Sequence, residues 1–177
     1  LAWTPGSSCS ISFGTPQIGP GNGSYTFHRW SDDNSTNASR AITAPASSTT
    51  YNAVFVAGVQ PVEAGPSSGS GLTQTMTFDF HAPNGSSSLS VVNVLINNAT
   101  NGIGACYVAF VPSTGSLFLV DDAGNAGGPY AGMTLPGPNT IQNNQCSITG
   151  TGSSYSGSGN ALTLTLAITF KAPFAGN

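Results

Sequence analysis

The apolar positions of this 177-residue chain fall in short bursts, and most of the bursts alternate. The clearest is Leu162-Thr163-Leu164-Thr165-Leu166-Ala167-Ile168-Thr169-Phe170, where Leu162, Leu164, Leu166, Ile168 and Phe170 are separated by small or hydroxyl residues. A period of two places one side of a strand on a core and the other in water. Met76-Thr77-Phe78-Asp79-Phe80 repeats the pattern. Val91 to Ile96, Tyr107 to Val111 and Leu117 to Val120 are apolar on both faces, which predicts central strands or strands covered on both sides. No segment keeps a 3.6-residue apolar period, and the β-branched content of Asn93 to Asn98 argues against a short helix there. Turn clusters such as Pro83-Asn84-Gly85, Pro112-Ser113-Thr114-Gly115 and Ala123 to Pro129 recur at short intervals, as a β-sandwich requires.

One stretch breaks the rhythm. Gly58 to Gly71 contains Pro61, Pro66 and Ser67-Ser68-Gly69-Ser70-Gly71, the composition of a boundary. It divides the chain into a small β module at about residues 1–60 and a larger one at 61–177. A module as small as the first buries limited surface and is marginal alone, so it is expected to lean on the second module or on another chain.

Composition narrows the function. Only 5% of residues are charged, against roughly a quarter in an ordinary globular protein. Ser, Thr, Asn and Gly take their place, giving a surface that solvates without ions. The basic residues are Arg29, Arg40 and Lys171, with no cluster to neutralise phosphates, so nucleic acid is not an expected partner. No apolar run approaches the length of a membrane span. Leu1-Ala2-Trp3-Thr4-Pro5 has neither the basic start nor the apolar stretch of a signal peptide, which suggests a mature or excised chain.

The cysteines are Cys9, Cys106 and Cys146, with no CxxC pair for zinc or thioredoxin-like chemistry. Cys106 and Cys146 both lie in β-like segments and are expected to form a disulfide; two buried free thiols are the alternative. Cys9 is left over, either buried and free or paired outside the chain.

Two stretches are familiar. Gly23-Ser24-Tyr25-Thr26-Phe27-His28-Arg29-Trp30-Ser31-Asp32-Asp33, then Arg40-Ala41-Ile42-Thr43-Ala44-Pro45-Ala46, then Thr49-Thr50-Tyr51-Asn52-Ala53-Val54-Phe55 resembles a repeat of large secreted bacterial proteins, and Trp3-Thr4-Pro5-Gly6-Ser7-Ser8 fits the same repeat. The region from Pro66 to Phe170, through Asp79-Phe80-His81-Ala82-Pro83-Asn84-Gly85, Ala105-Cys106-Tyr107, Val120-Asp121-Asp122-Ala123-Gly124 and Gln142-Asn143-Asn144-Gln145-Cys146, resembles an Ig-like module found in tandem in surface and secreted proteins of soil bacteria such as acidobacteria. The resemblance implies two Ig-like antiparallel β-sandwich modules, the first small and incomplete. It also implies a Cys106–Cys146 bridge, an extracellular or cell-surface location, and no defined activity. Relative to those patterns each module looks short of an edge strand. Either the chain is a piece of a longer tandem array or it exchanges strands with another chain, since an open sheet edge accepts a strand readily.

Candidate chemistry is sparse. The acids are Asp32, Asp33, Glu63, Asp79, Asp121 and Asp122, and the two Asp pairs sit where Asp caps turns. Acid–base catalysis needs two carboxylates in contrasting environments. His28 and His81 are the only imidazoles, and no Gly-x-Ser-x-Gly elbow accompanies them. No catalytic residue and no cofactor is expected. A calcium site would draw on Asp121, Asp122 and Asn125, although the spacing departs from an EF-hand loop and a turn explains the same residues. Asn-x-Ser/Thr motifs at Asn22, Asn34, Asn37, Asn84 and Asn98 fit composition alone in a bacterial chain. The expected role is a non-catalytic extracellular structural or interaction module, assembling with other protein chains into a surface fibre or filament by strand pairing. The alternative is carbohydrate binding or adhesion through exposed aromatics, for which Trp30, Tyr130 and Tyr155 are the candidates. Trp30 is better explained as a core anchor of the small module, while Tyr130 and Tyr155, flanked by Gly, Pro and Ser, are expected in loops, where a ring can equally fold back over the core.

Overall fold

A computed structural model describes residues 3–19, 23–125 and 127–174, and within them the chain is all-β with only isolated 3-10 turns. The backbone divides into two compact units, Leu1–Gln60 and Pro61–Asn177.

The first unit contains β1 (Ser8–Ser12), β2 (Gln17–Ile18), β3 (Ser24–Trp30), β4 (Ser39–Thr43) and β5 (Ala53–Ala57). β1 and β4 pair antiparallel, and β2, β3 and β5 form a second sheet in that order. The register of β3 against β5 shifts between Phe27 and Arg29, so His28 is the extra residue of a bulge. That slip brings Phe27 and Trp30, three apart, onto one face with ring centroids 5.7 Å apart. Phe13 and Phe55 complete the cluster, Phe13 at 5.3 Å from Trp30 and Phe55 at 5.8 Å from Phe27. The Arg40 guanidinium covers the Trp30 ring at 4.3 Å and forms ion pairs with Asp32 at 2.7 Å and Asp33 at 2.6 Å. The small unit thus gathers partly exposed rings around the buried Trp30 and closes the cluster with a cation.

The second unit holds β6 (Gln60–Gly65), β7 (Thr73–His81), β8 (Val92–Ile96), β9 (Cys106–Val111), β10 (Ser116–Val120), β11 (Tyr130–Thr134), β12 (Thr140–Gln142), β13 (Cys146–Ser158) and β14 (Ala161–Phe170). They form a five-stranded sheet in the order β12-β13-β14-β7-β6 and a four-stranded sheet in the order β11-β10-β9-β8. Residues of both sheets share one core: Phe78, Leu162, Leu164, Leu166 and Ile168 from the first, Val94, Val108, Phe110, Leu117 and Leu119 from the second. The result is an antiparallel, sandwich-like fold. The alternating residues Leu162 to Ile168 of β14 all face that core.

The strand order differs from the immunoglobulin one. In that order the chain returns repeatedly from sheet to sheet, ABED against CFG. Here β8 to β11 form the whole second sheet as a meander, and the late strand β14 pairs along its length with β7. A second correction concerns β8. Its two apolar faces predicted a central or covered strand, yet it lies at a sheet edge, and Leu95 on its outward face is 40% exposed. β9 and β10 are central within their sheet, as their patterns predicted.

Cys106 at the start of β9 is joined to Cys146 at the start of β13, Cα atoms 5.7 Å apart, so the bridge ties one sheet to the other through the buried core. In β13 the register against β14 shifts between Thr149 and Ser154. The buried Ser153 fills the irregularity: its hydroxyl donates to the Thr149 carbonyl at 2.6 Å and accepts the Ala167 N–H at 2.9 Å.

Candidate functional site

The candidate aromatics part company in the structure. Trp30 is 1% exposed, its indole N–H donates to the Asn37 carbonyl at 2.9 Å, and Arg40 covers its face. It is a core residue and offers no ring to a ligand. Tyr155, expected in a loop because Gly and Ser flank it, lies inside β13 opposite Leu164 and packs on Phe110 with centroids 4.8 Å apart. Backbone pairing with β14 overrides the loop-like composition, and the ring belongs to the edge of the core. Tyr130, at the start of β11, remains 40% exposed.

Tyr130 lines an open cleft of about 480 Å³, within the roughly 300–1,000 Å³ range of small-ligand sites. The floor and walls come from separate segments. Asp121 and Asp122 follow β10, Gln142 ends β12, Asn143 and Asn144 form the turn into β13, and Lys171 follows β14. Tyr130 is placed by its pairing with Val120, and the Phe118 ring lies 6.4 Å from it.

The β12–β13 turn that lines the cleft is pinned by one side chain. Asn143 donates its two amide hydrogens to the carbonyls of Ala105 at 2.9 Å and Val120 at 3.0 Å, and its carbonyl accepts the N–H groups of Gln145 and Cys146, each at 2.9 Å. It thereby fastens the β12–β13 turn to both neighbouring strands of the other sheet, beside the disulfide. Lys171 donates to Gln142 Oε1 at 2.9 Å and to the Asn143 carbonyl.

Of the calcium candidates Asp121, Asp122 and Asn125, both carboxylates accept hydrogen bonds within the protein. Asp121 Oδ1 accepts the Asn125 N–H at 3.3 Å. The Asp122 carboxylate accepts the Asn144 N–H at 3.2 and 3.3 Å and the Gln145 amide at 3.2 Å. Among the described residues no group of three or more His, Cys, Asp or Glu side chains gathers to hold a metal ion.

The remaining ionisable groups are dispersed. Asp79 accepts the Thr163 hydroxyl across β7 and β14. Glu63 is exposed on β6, His28 is exposed at the bulge of β3, and His81 ends β7. Asp32 is held below the ordinary carboxylate range by its hydrogen bond from Arg40, with smaller help from backbone N–H groups. Cys9 is a half-buried free thiol on β1, opposite Ile42. Asn34, Asn37, Asn84 and Asn98 are exposed, and Asn22 lies outside the described residues.

No family model, curated protein or solved structure matches the chain. A disulfide in the core fits a non-reducing compartment. Among the described residues no helix is long and apolar enough to cross a membrane.

Proposed function

We propose that the chain is a non-catalytic extracellular structural and interaction module, joined to a second copy of itself by strand addition at β8. The observation that carries this is the contrast among the sheet edges of the second unit. β6 bears Pro61 and Glu63, β12 is three residues long, and β11 contains Gly132 and lies against β12. Each is a device that discourages further pairing. β8, Val92-Asn93-Val94-Leu95-Ile96, has no charge, proline, glycine or bulge. Its core-facing residues Val92, Val94 and Ile96 would continue an apolar row onto an added strand. The tandem arrangement suggested by the sequence belongs to this reading. The dispersal of the acids also supports it, each Asp serving a turn, a strand pair or Arg40. Light scattering across a concentration series, with electron microscopy, tests it: the full chain should assemble, and Leu95→Lys with Asn93→Lys should keep it monomeric. A wild-type chain that stays monomeric at high concentration rejects the assembly.

A second reading has its own observation. The Tyr130 cleft combines an exposed ring with amide, carboxylate and ammonium groups, the composition of a carbohydrate site.

A further inference from the structure

Resting on that second reading, we propose that the cleft bounded by the end of β10, the start of β11 and the β12–β13 turn binds the end of a neutral, hydroxyl-rich glycan, with a sugar ring lying on Tyr130. A sugar presents two chemistries at once. Its C–H faces pack on aromatic rings, and its hydroxyls need donors and acceptors set close together. Tyr130, 40% exposed, supplies a ring to the lining. Asp121 and Asp122 supply acceptors, Lys171 supplies a donor, and the exposed side chains of Gln142 and Asn144 supply both.

The site is held in shape before any ligand arrives. Asn143 satisfies all its hydrogen bonds within the protein and fixes the turn that carries Gln142 and Asn144. Asp122 is braced by the Asn144 N–H and the Gln145 amide, and Lys171 by Gln142 and the Asn143 carbonyl. A preorganised site loses less entropy on binding. Charge chooses the class of sugar: two carboxylates face one ammonium, so uronic or sialic acids meet net repulsion while neutral sugars do not. The volume of about 480 Å³ suits a terminal residue or short branch more than a long stretch of polymer.

The test uses the full chain on an array of neutral and acidic oligosaccharides, with calorimetry on each hit. Neutral glycans should bind and acidic ones should not. Tyr130→Ala should weaken binding by about tenfold or more, the loss typical of an aromatic anchor, while Tyr130→Phe retains most of it. Asn144→Ala, on an exposed side chain, should weaken binding severalfold without changing the unfolding midpoint, and it preserves the test if Tyr130→Ala folds poorly. Binding that is confined to acidic glycans overturns the proposal. Neutral-glycan binding untouched by Tyr130→Ala and Asn144→Ala overturns this location and leaves the carbohydrate reading intact. An array without hits removes both.

Discussion

The side-chain carbonyl of Asn143 accepts the backbone N–H of Cys146 at 2.9 Å, so the turn into β13 is anchored at the disulfide itself. Removing the amide orphans the carbonyls of Ala105 and Val120 and two N–H groups in a half-buried setting. Unpaired buried groups cost about 1–3 kcal/mol each, less where water reaches them. Asn143→Ala should therefore lower the stability of the second unit by about 2–4 kcal/mol, read by denaturant unfolding under oxidising conditions. A variant within experimental error of wild type would show that water replaces these bonds at no cost.

The Cys106–Cys146 bridge spans 40 residues of sequence. On the chain-entropy account, closing a loop of that length stabilises the fold by about 4 kcal/mol. The Cys106→Ala, Cys146→Ala double variant should lose a comparable amount in thermal and denaturant unfolding, and added reductant should reproduce the loss in the wild-type chain.

Acid should loosen the first unit. Asp32 is depressed by its hydrogen bond from Arg40, so its contribution is fully present above the unfolded carboxylate value, near about 4, and disappears as pH falls through the lower folded value. Both tryptophans of the chain, Trp3 and Trp30, lie in this unit, so their fluorescence isolates it. The unfolding midpoint seen by fluorescence should fall on acidification below that range. Arg40→Leu should be less stable at neutral pH and lose the acid step, and Arg40→Lys should recover only part of the stability because the fork to Asp32 and Asp33 is gone.

Ser153 is the buried polar side chain inside the irregularity of β13. Ser153→Ala leaves the Ala167 N–H and the Thr149 carbonyl without their partner, at a cost of about 1–3 kcal/mol. Ser153→Gly should cost more, since it adds chain freedom to the same loss. Equal stability of the alanine variant would mean that β14 shifts to pair its freed N–H elsewhere.

Calcium should leave the protein unmoved. Calcium takes roughly six to eight oxygen ligands, and among the described residues no group of three or more acidic side chains gathers to supply them. Titration with calcium, and then with a chelator, should not shift the unfolding midpoint; a rise of several degrees with calcium would reinstate the site.

Some of this was legible in the sequence. The alternation of Leu162 to Ile168 is a direct image of a half-buried strand, and all four core positions follow from it. The pairing of Cys106 with Cys146 followed from their β-like surroundings. The position of β8 was not legible, because two apolar faces describe an edge strand with an uncovered Leu95 as well as a central strand. Tyr155 was misplaced because Gly and Ser neighbours resemble a loop, while its strand is imposed by β14 alongside. The cleft was invisible for a different reason. Its walls come from residues 121–122, 129–131, 142–144 and 171, which only the pairing of the strands brings together.

The pairing of β7 with β14 sets a schedule for the chain. Asp79 meets Thr163, 84 positions further on. At ribosomal rates the wait for that neighbour is roughly 4–17 seconds. The meander of β8 to β11 can form by itself in the interval, because its contacts are local. Phe78 and Phe80 are left with half a core for as long as β14 is missing. A nascent chain of this topology is therefore most vulnerable to clumping, and most in need of a chaperone, in the interval after β7 has emerged and before β14 has arrived to cover it.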